Sequence, residues 1–131
     1  MPISPWAGWD TSAKTYDTNA HRDAILTRDI TNALGSLFIG EKGDPKHPLA
    51  NPLYTDYAGF PPIYITVGEA ETLLDDSRRI AQRARQADVE VKIDEYQDIQ
   101  HVFQIMAGVA PEADAAVQRM ARWAKPRLGL K

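Results

Sequence analysis

Ile63–Ser77 reads IYITVGEAETLLDDS, Glu90–Tyr96 reads EVKIDEY and Gln100–Gln104 reads QHVFQ, and the order of these three pieces decides the fold. Ile63 to Val67 is a nearly continuous run of apolar and β-branched residues, the pattern of a strand buried on both faces. After Gly68 the period changes. Leu73, Leu74, Ile80, Ala81 and Ala84 share one side of a helix, and Arg78, Arg79, Arg83 and Arg85 lie mostly on the other. Asp75 and Asp76 fall in the first turn, where the helix dipole favours acids, and both are predicted to be solvated. Val89, Val91, Ile93 and Glu95 then alternate with Glu90, Lys92, Asp94 and Tyr96, a period of two. Strand, helix and strand joined by short links predict a βαβ unit with a right-handed crossover in a parallel sheet.

Upstream of this unit, Ala24 to Ile39 places apolar residues at spacings of three and four, which predicts one or two helices. Thr27 or Asp29 can cap a helix start there, and Gly40 can stop it. Glu41 to Pro52 holds three prolines and one glycine and reads as a surface loop. Pro61-Pro62 enforces an extended entry into the first strand. Downstream, Pro111 opens a last helix with Ala113, Ala116, Val117, Met120, Ala121 and Ala124 on its apolar face.

The 131 residues suit one domain, and 44% hydrophobic with 25% charged residues is a globular composition. A net charge of −3 without any basic stripe argues against a nucleic-acid partner. There is no cysteine, hence no disulfide framework and no thiol nucleophile. No apolar run has the length of a membrane span, and MPISPWAGWD lacks the pattern of a signal peptide, so a cytoplasmic location is expected. The same segment opens on what reads as the tail of a strand, so the chain is expected to begin inside a larger fold.

Chemistry in open α/β sheets gathers beyond the carboxyl ends of the strands. Glu71 stands just past the first strand and His101 five residues past Tyr96, so their loops are neighbours in the predicted unit. A carboxylate that orients an imidazole supplies two members of a nucleophile–histidine–acid triad. Spacing alone leaves Glu69 equal to Glu71, and leaves His101 open to being an ordinary loop histidine. His21 and His47 lie in polar segments without strand geometry and read as surface residues. The third triad member has no candidate. No G-x-S-x-G occurs, and Ser4, Ser12, Ser36 and Ser77 all lack the sharp strand–turn–helix setting of a nucleophile.

These residues resemble the hormone-sensitive-lipase-like branch of the α/β-hydrolase superfamily, especially bacterial esterases and monoterpene ε-lactone hydrolases. The matching pieces are S-P-W at Ser4–Trp6, P-L-A-N-P-L-Y at Pro48–Tyr54 and G-F-P-P-I-Y-I-T-V-G-E at Gly59–Glu69. They continue with E-T-L-L-D-D-S at Glu71–Ser77, H-V-F-Q at His101–Gln104 and P-E-A at Pro111–Ala113. The resemblance runs from Ile3 to about Arg127. It implies the C-terminal portion of an α/β-hydrolase fold: a short parallel sheet flanked by helices, plus a helical cap segment. Residues 1–10 would be a strand end entering the cap, 11–52 the cap-like segment and 53–131 the C-terminal half of the core.

The family's acid is an aspartate or, in some esterases, a glutamate, and it falls on Glu71. Its catalytic histidine falls on His101. The implied enzyme hydrolyses a small-molecule carboxylic ester or lactone with no metal or organic cofactor. The family's HGGG oxyanion-hole motif and G-D-S-A-G elbow precede the point where this chain begins. The chain alone is therefore expected to be inactive, because losing the serine of a triad costs on the order of a million-fold in turnover. The aromatic residues Trp6, Trp9, Tyr16 and Phe38 of the cap are candidates for an acyl pocket or for ordinary packing. Two departures stand out: Gly8 where the family usually has an aspartate soon after the tryptophan, and Asp88 for the glycine that often ends the helix. Aspartate can still visit the left-handed region there, at some cost.

A second reading is a non-catalytic half-domain. A doubly buried strand without its flanking strands leaves an unpaired edge, which a complementary N-terminal half or a second copy would cover. A homodimer would use Val89–Tyr96, since the family commonly dimerises through its last strand and helix. A third reading is a truncated gene product without a role.

Overall fold

The computed structural model describes residues 1–7 and 11–131, which form two compact units, Met1–His101 and Val102–Lys131. The first unit holds α1 (Thr15–Thr18), α2 (Arg28–Ile39), a 3-10 turn (Pro52–Tyr54), β1 (Ile63–Gly68), α3 (Leu74–Gln86) and β2 (Val91–Tyr96). β1 and β2 pair in parallel, in register from Ile63 opposite Val91 to Gly68 opposite Tyr96. The βαβ unit read from the periodicities is therefore present. Ile65 and Val67 are fully buried, as a continuous β-branched run predicts.

The other edge of β1 departs from expectation. Ser4 N–H donates to the Thr66 carbonyl at 2.7 Å, and Thr66 N–H donates to the Pro2 carbonyl at 3.2 Å. Ile3 thus bridges Thr66 in parallel. The N-terminal segment satisfies part of the edge that the sequence left unpaired, so β1 lies between two neighbours. β2, by contrast, is only half-buried along most of its length.

α3 closes at Asp88, which takes the left-handed conformation open to it at some cost. Asp88 has φ 58°, Asp88 N–H donates to the Arg85 carbonyl and Val89 N–H to the Ala84 carbonyl, both at 3.1 Å. This is a Schellman stop with aspartate in the left-handed position that glycine usually occupies. Ile80, Ala81 and Ala84 pack with Ile65, Leu53, Tyr57, Ala7 and Val89 into the main core. A smaller cluster joins Ala13, Tyr16 and Leu73, with Trp6 and Leu26 against it.

α2 starts at Thr27, whose hydroxyl accepts from Ile30 N–H at 3.3 Å, and stops at Gly40 with φ 69°. Its burial runs against the apolar pattern. Thr31 and Gly35 are the buried positions, while Leu37 is 80% and Phe38 69% exposed. Phe38 therefore faces solvent rather than a packed core.

In the second unit a 3-10 turn (Phe103–Met106) precedes α4 (Pro111–Arg127), which starts at the predicted proline. Asp114 accepts from Gly108 N–H at 2.7 Å, and Ala113, Ala116 and Met120 are buried. Among the described residues, no helix is long and apolar enough to cross a membrane.

Candidate active site

Gly68 ends β1 where the chain from β2 crosses close by. A Cβ on Gly68 would sit 2.1 Å from the Ile99 carbonyl oxygen, so only glycine fits. The two loops are zipped together at this point. Glu69 N–H donates to the Tyr96 carbonyl at 2.8 Å and Ala70 N–H to the Ile99 carbonyl at 3.2 Å. The loop after β1 carries the acid and the loop after β2 carries the histidine.

Glu71 is completely buried. A buried carboxylate is costly unless its oxygens are hydrogen-bonded, and here they accept from three donors. Oε1 takes the Ser4 hydroxyl at 2.7 Å and the Gly68 backbone N–H. Oε2 lies 2.9 Å from Nδ1 of His101. A carboxylate accepts, so this bond places the ring proton on Nδ1 and leaves Nε2 as the basic nitrogen. Nε2 has no hydrogen-bond partner among the described residues, and the His101 side chain keeps 21% exposure. The pair is thus a fixed acid and a ring whose free nitrogen can take a proton from a third group.

Residues 15–24 hold both loops, the acid loop by its backbone and the histidine loop by its side chains. Asn19 donates its side-chain amide to the carbonyls of Glu69 (2.9 Å) and Glu71 (2.7 Å). Asp23 accepts from Thr72 N–H (2.8 Å) and from the Thr72 hydroxyl (3.0 Å). Its other oxygen accepts from Ile25 and Leu26 N–H, each at 2.9 Å. Thr15 donates its hydroxyl to the Thr72 carbonyl at 2.7 Å. On the histidine side, Gln100 accepts from Ala24 N–H and donates to the Arg22 carbonyl, both at 2.9 Å. Arg22 pairs with Asp98 at 2.8 Å.

The structure separates the two acids that spacing left equal. The Glu69 side chain is 43% exposed and sits 4.0 Å from Arg22, away from the ring. His21 and His47 are exposed, as read. Asp76 corrects the sequence reading: it is fully buried, not solvated. Its Oδ2 accepts from Ala7 N–H (3.3 Å) and the Tyr16 hydroxyl (3.4 Å), and Arg79 lies 3.7 Å from Oδ1. Burial, then the Asp76 charge, holds the Tyr16 phenol above its ordinary pKa. Tyr16 is a core residue, Trp6 packs against that cluster, and Trp9, with the Gly8 departure, lies outside the described residues.

None of the four serines approaches the ring as a nucleophile. The Ser4 hydroxyl donates its hydrogen bond to the acid, Ser36 donates to the Asn32 carbonyl within α2, and Ser12 is exposed. Ser77 is buried in α3, its hydroxyl without a partner among the described residues. Among the described residues no three His, Cys, Asp or Glu side chains are grouped as metal ligands.

Sequence reasoning missed Ser4, Asn19 and Asp23 as site residues. Each acts across 49 or more positions of chain on a backbone or carboxylate group, and no local period reports that. The one available signal was Ser4 in the S-P-W match.

A sequence profile described as "alpha/beta hydrolase fold" matches residues 1–105. An acetyl-hydrolase of Streptomyces hygroscopicus is 35% identical over 117 residues, spanning 88% of this chain and 38% of the relative. An esterase of Acinetobacter venetianus is 32% identical over 122 residues, spanning 93% of this chain and 40% of the relative. Among solved structures, an esterase from the bacterial hormone-sensitive lipase family superposes with a TM-score of 0.89 at 36% identity. That match covers 92% of this chain and 40% of the other. A hormone-sensitive lipase from a metagenome library superposes at 0.90 with 33% identity, over 95% and 43% of the two chains. The chain therefore spans about 40% of the length of the curated relatives it matches.

Proposed function

Since this chain belongs to the α/β-hydrolase fold family, on its hormone-sensitive-lipase-like branch, we propose that it supplies the acid and base of a carboxylic ester or lactone hydrolase. Glu71 is the acid and His101 the general base. The observation that carries this reading is the 2.9 Å bond between Oε2 of a fully buried Glu71 and Nδ1 of His101. Glu71 fixes the tautomer and stabilises the imidazolium when Nε2 takes the proton of an attacking serine hydroxyl. His101 then returns that proton to the leaving alkoxide, and water repeats the cycle on the acyl-enzyme. Small-molecule esters, acetyl esters among them, are the substrate class that the related acetyl-hydrolase and esterase suggest. Residues 11–52 are the cap-like segment and 53–131 the C-terminal half of the core in this reading.

In this reading another polypeptide segment supplies the attacking serine and the oxyanion hole, since no G-x-S-x-G occurs in the 131 residues. The chain alone should have negligible turnover of p-nitrophenyl butyrate. Co-expression with a polypeptide carrying HGGG and G-x-S-x-G should restore it, and His101→Ala should then remove about a million-fold. Glu71→Gln should cost about ten-thousand-fold, through the wrong tautomer. A restored activity indifferent to His101→Ala rejects the reading. Robust turnover by the chain alone, with serine-directed phosphonate labelling, rejects the missing nucleophile.

The apolar surface favours a second reading, a half-domain that associates. Leu37 and Leu49 are 80% and 91% exposed. A groove of about 660 Å³ beside the N-terminal segment is lined by Pro2, Trp6, Leu49, Tyr57, Phe60 and Ile63. A complementary chain or a second copy would cover such surface. Light scattering that finds a monomer without dye-binding surface rejects it.

A further inference from the structure

Ser4 combines three observations. It is 4% exposed, it is a non-glycine residue at φ 45°, and its hydroxyl donates to Oε1 of Glu71 across 67 positions of chain. Left-handed backbone is disfavoured for residues with a Cβ and persists only where surrounding structure imposes it. Here Ser4 N–H donates to the Thr66 carbonyl on β1 at 2.7 Å, which fixes the residue beside the acid loop.

A glutamate needs such a partner more than an aspartate would. It has one more torsion, and its terminal χ3 is broad rather than confined to a staggered well. Two of the three donors to Glu71, Ser4 and Gly68, meet on the same oxygen. Together they fix the carboxylate plane, and Oε2 then faces Nδ1 of His101. The Gly68 N–H lies three residues away in the same turn and moves with Glu71, whereas Ser4 comes from a separate segment. We propose that Ser4 is a positioning residue of the acid–histidine pair, its hydroxyl locking the glutamate rotor so that one oxygen is presented to the ring. This rests on the reading of Glu71 and His101 given above.

The test uses the whole chain with 15N-labelled histidine and follows exchange of the ring protons with water. Exposed His21 and His47 serve as internal controls. In wild type a protected Nδ1 proton is expected on His101 alone, and a protected Ser4 hydroxyl proton near the Gly68 amide. Ser4→Ala removes the hydroxyl and keeps the backbone strain; Ser4→Gly removes both. The His101 Nδ1 proton should exchange about tenfold faster in both variants, the loss of one charge-assisted bond. A purely structural role would spare Ser4→Gly, because its backbone is relieved. Thr27→Ala, which weakens α2 elsewhere, should leave the exchange rate unchanged. Wild-type exchange in Ser4→Gly, or an unprotected Ser4 hydroxyl in wild type, overturns the proposal even if Ser4→Ala fails to fold. Absence of a protected His101 proton in wild type rejects the pair itself, and with it the reading beneath.

Discussion

Residues 15–24 and α2 are adjacent in sequence and opposite in how they are held. The first stretch has a single four-residue helix, yet its side chains bind the backbone of the acid loop, and its own backbone at Arg22 and Ala24 is bound by Gln100 of the histidine loop. α2 is a regular twelve-residue helix with a cap and a glycine stop, yet its apolar side chains face outward. Regular local structure and anchorage are therefore separate properties. A helix satisfies its own backbone internally, so it can stand on a surface. An irregular segment cannot, and it stays ordered only where its polar groups find partners elsewhere.

Asp23→Ala should show the contrast most strongly. It strips the acceptor from Thr72, Ile25 and Leu26 N–H together, and at least one buried donor stays unsatisfied. We expect a loss of about 3 kcal/mol in denaturant unfolding. Asn19→Ala leaves the Glu69 and Glu71 carbonyls without their amide donor and should cost about 2 kcal/mol. Thr27→Ala removes only the cap of α2 and should cost about 1 kcal/mol. Leu37→Ala, at an exposed apolar position, should change stability by no more than about 0.5 kcal/mol. A loss above 2 kcal/mol there would mean that something covers α2, and the contrast would fail.

The smallest effect is electrostatic. Arg78 grips Glu95 with two bonds, Nε at 2.9 Å and NH2 at 2.7 Å. The Arg78 hydrogen bond holds the Glu95 carboxyl below its ordinary range, against the opposing effect of burial. A folded pKa below the unfolded value means that this stabilisation is full above the unfolded value of about 4.3 and is lost as pH falls through the folded one. Both side chains are a third or more exposed, so solvent screening limits the pair to about 0.5 kcal/mol. Unfolding of Glu95→Gln should differ from wild type at pH 7, and the difference should shrink as the pH is lowered to about 3.

Much of the core was legible because periodicity reports burial. The run from Ile63 to Val67 announced a doubly buried strand, and the spacing of Ile80, Ala81 and Ala84 announced the inner face of α3. Asp88 in place of the usual glycine was compatible with a left-handed stop, because aspartate, like asparagine, can visit that region at some cost. Asp76 was misread because an acid in a first helical turn is ordinarily solvated; only the approach of Ala7 and Tyr16 encloses it. The apolar spacing of α2 was real, but spacing says that a helix has a face and not what lies opposite.

The order of strand, helix and strand, with an acid and a histidine each beyond a strand end, was determined by the sequence alone. Those features are local: they follow from side-chain period, proline and glycine placement, and residue type. Only the tertiary structure decided that Oε2 of Glu71 meets Nδ1 of His101, that Ser4 takes the other oxygen, and that residues 15–24 hold both loops. Those contacts join groups 30 to 78 positions apart, and a hydrogen bond needs placement within a few tenths of an ångström. No local pattern carries that precision; it arises where separately folded segments meet.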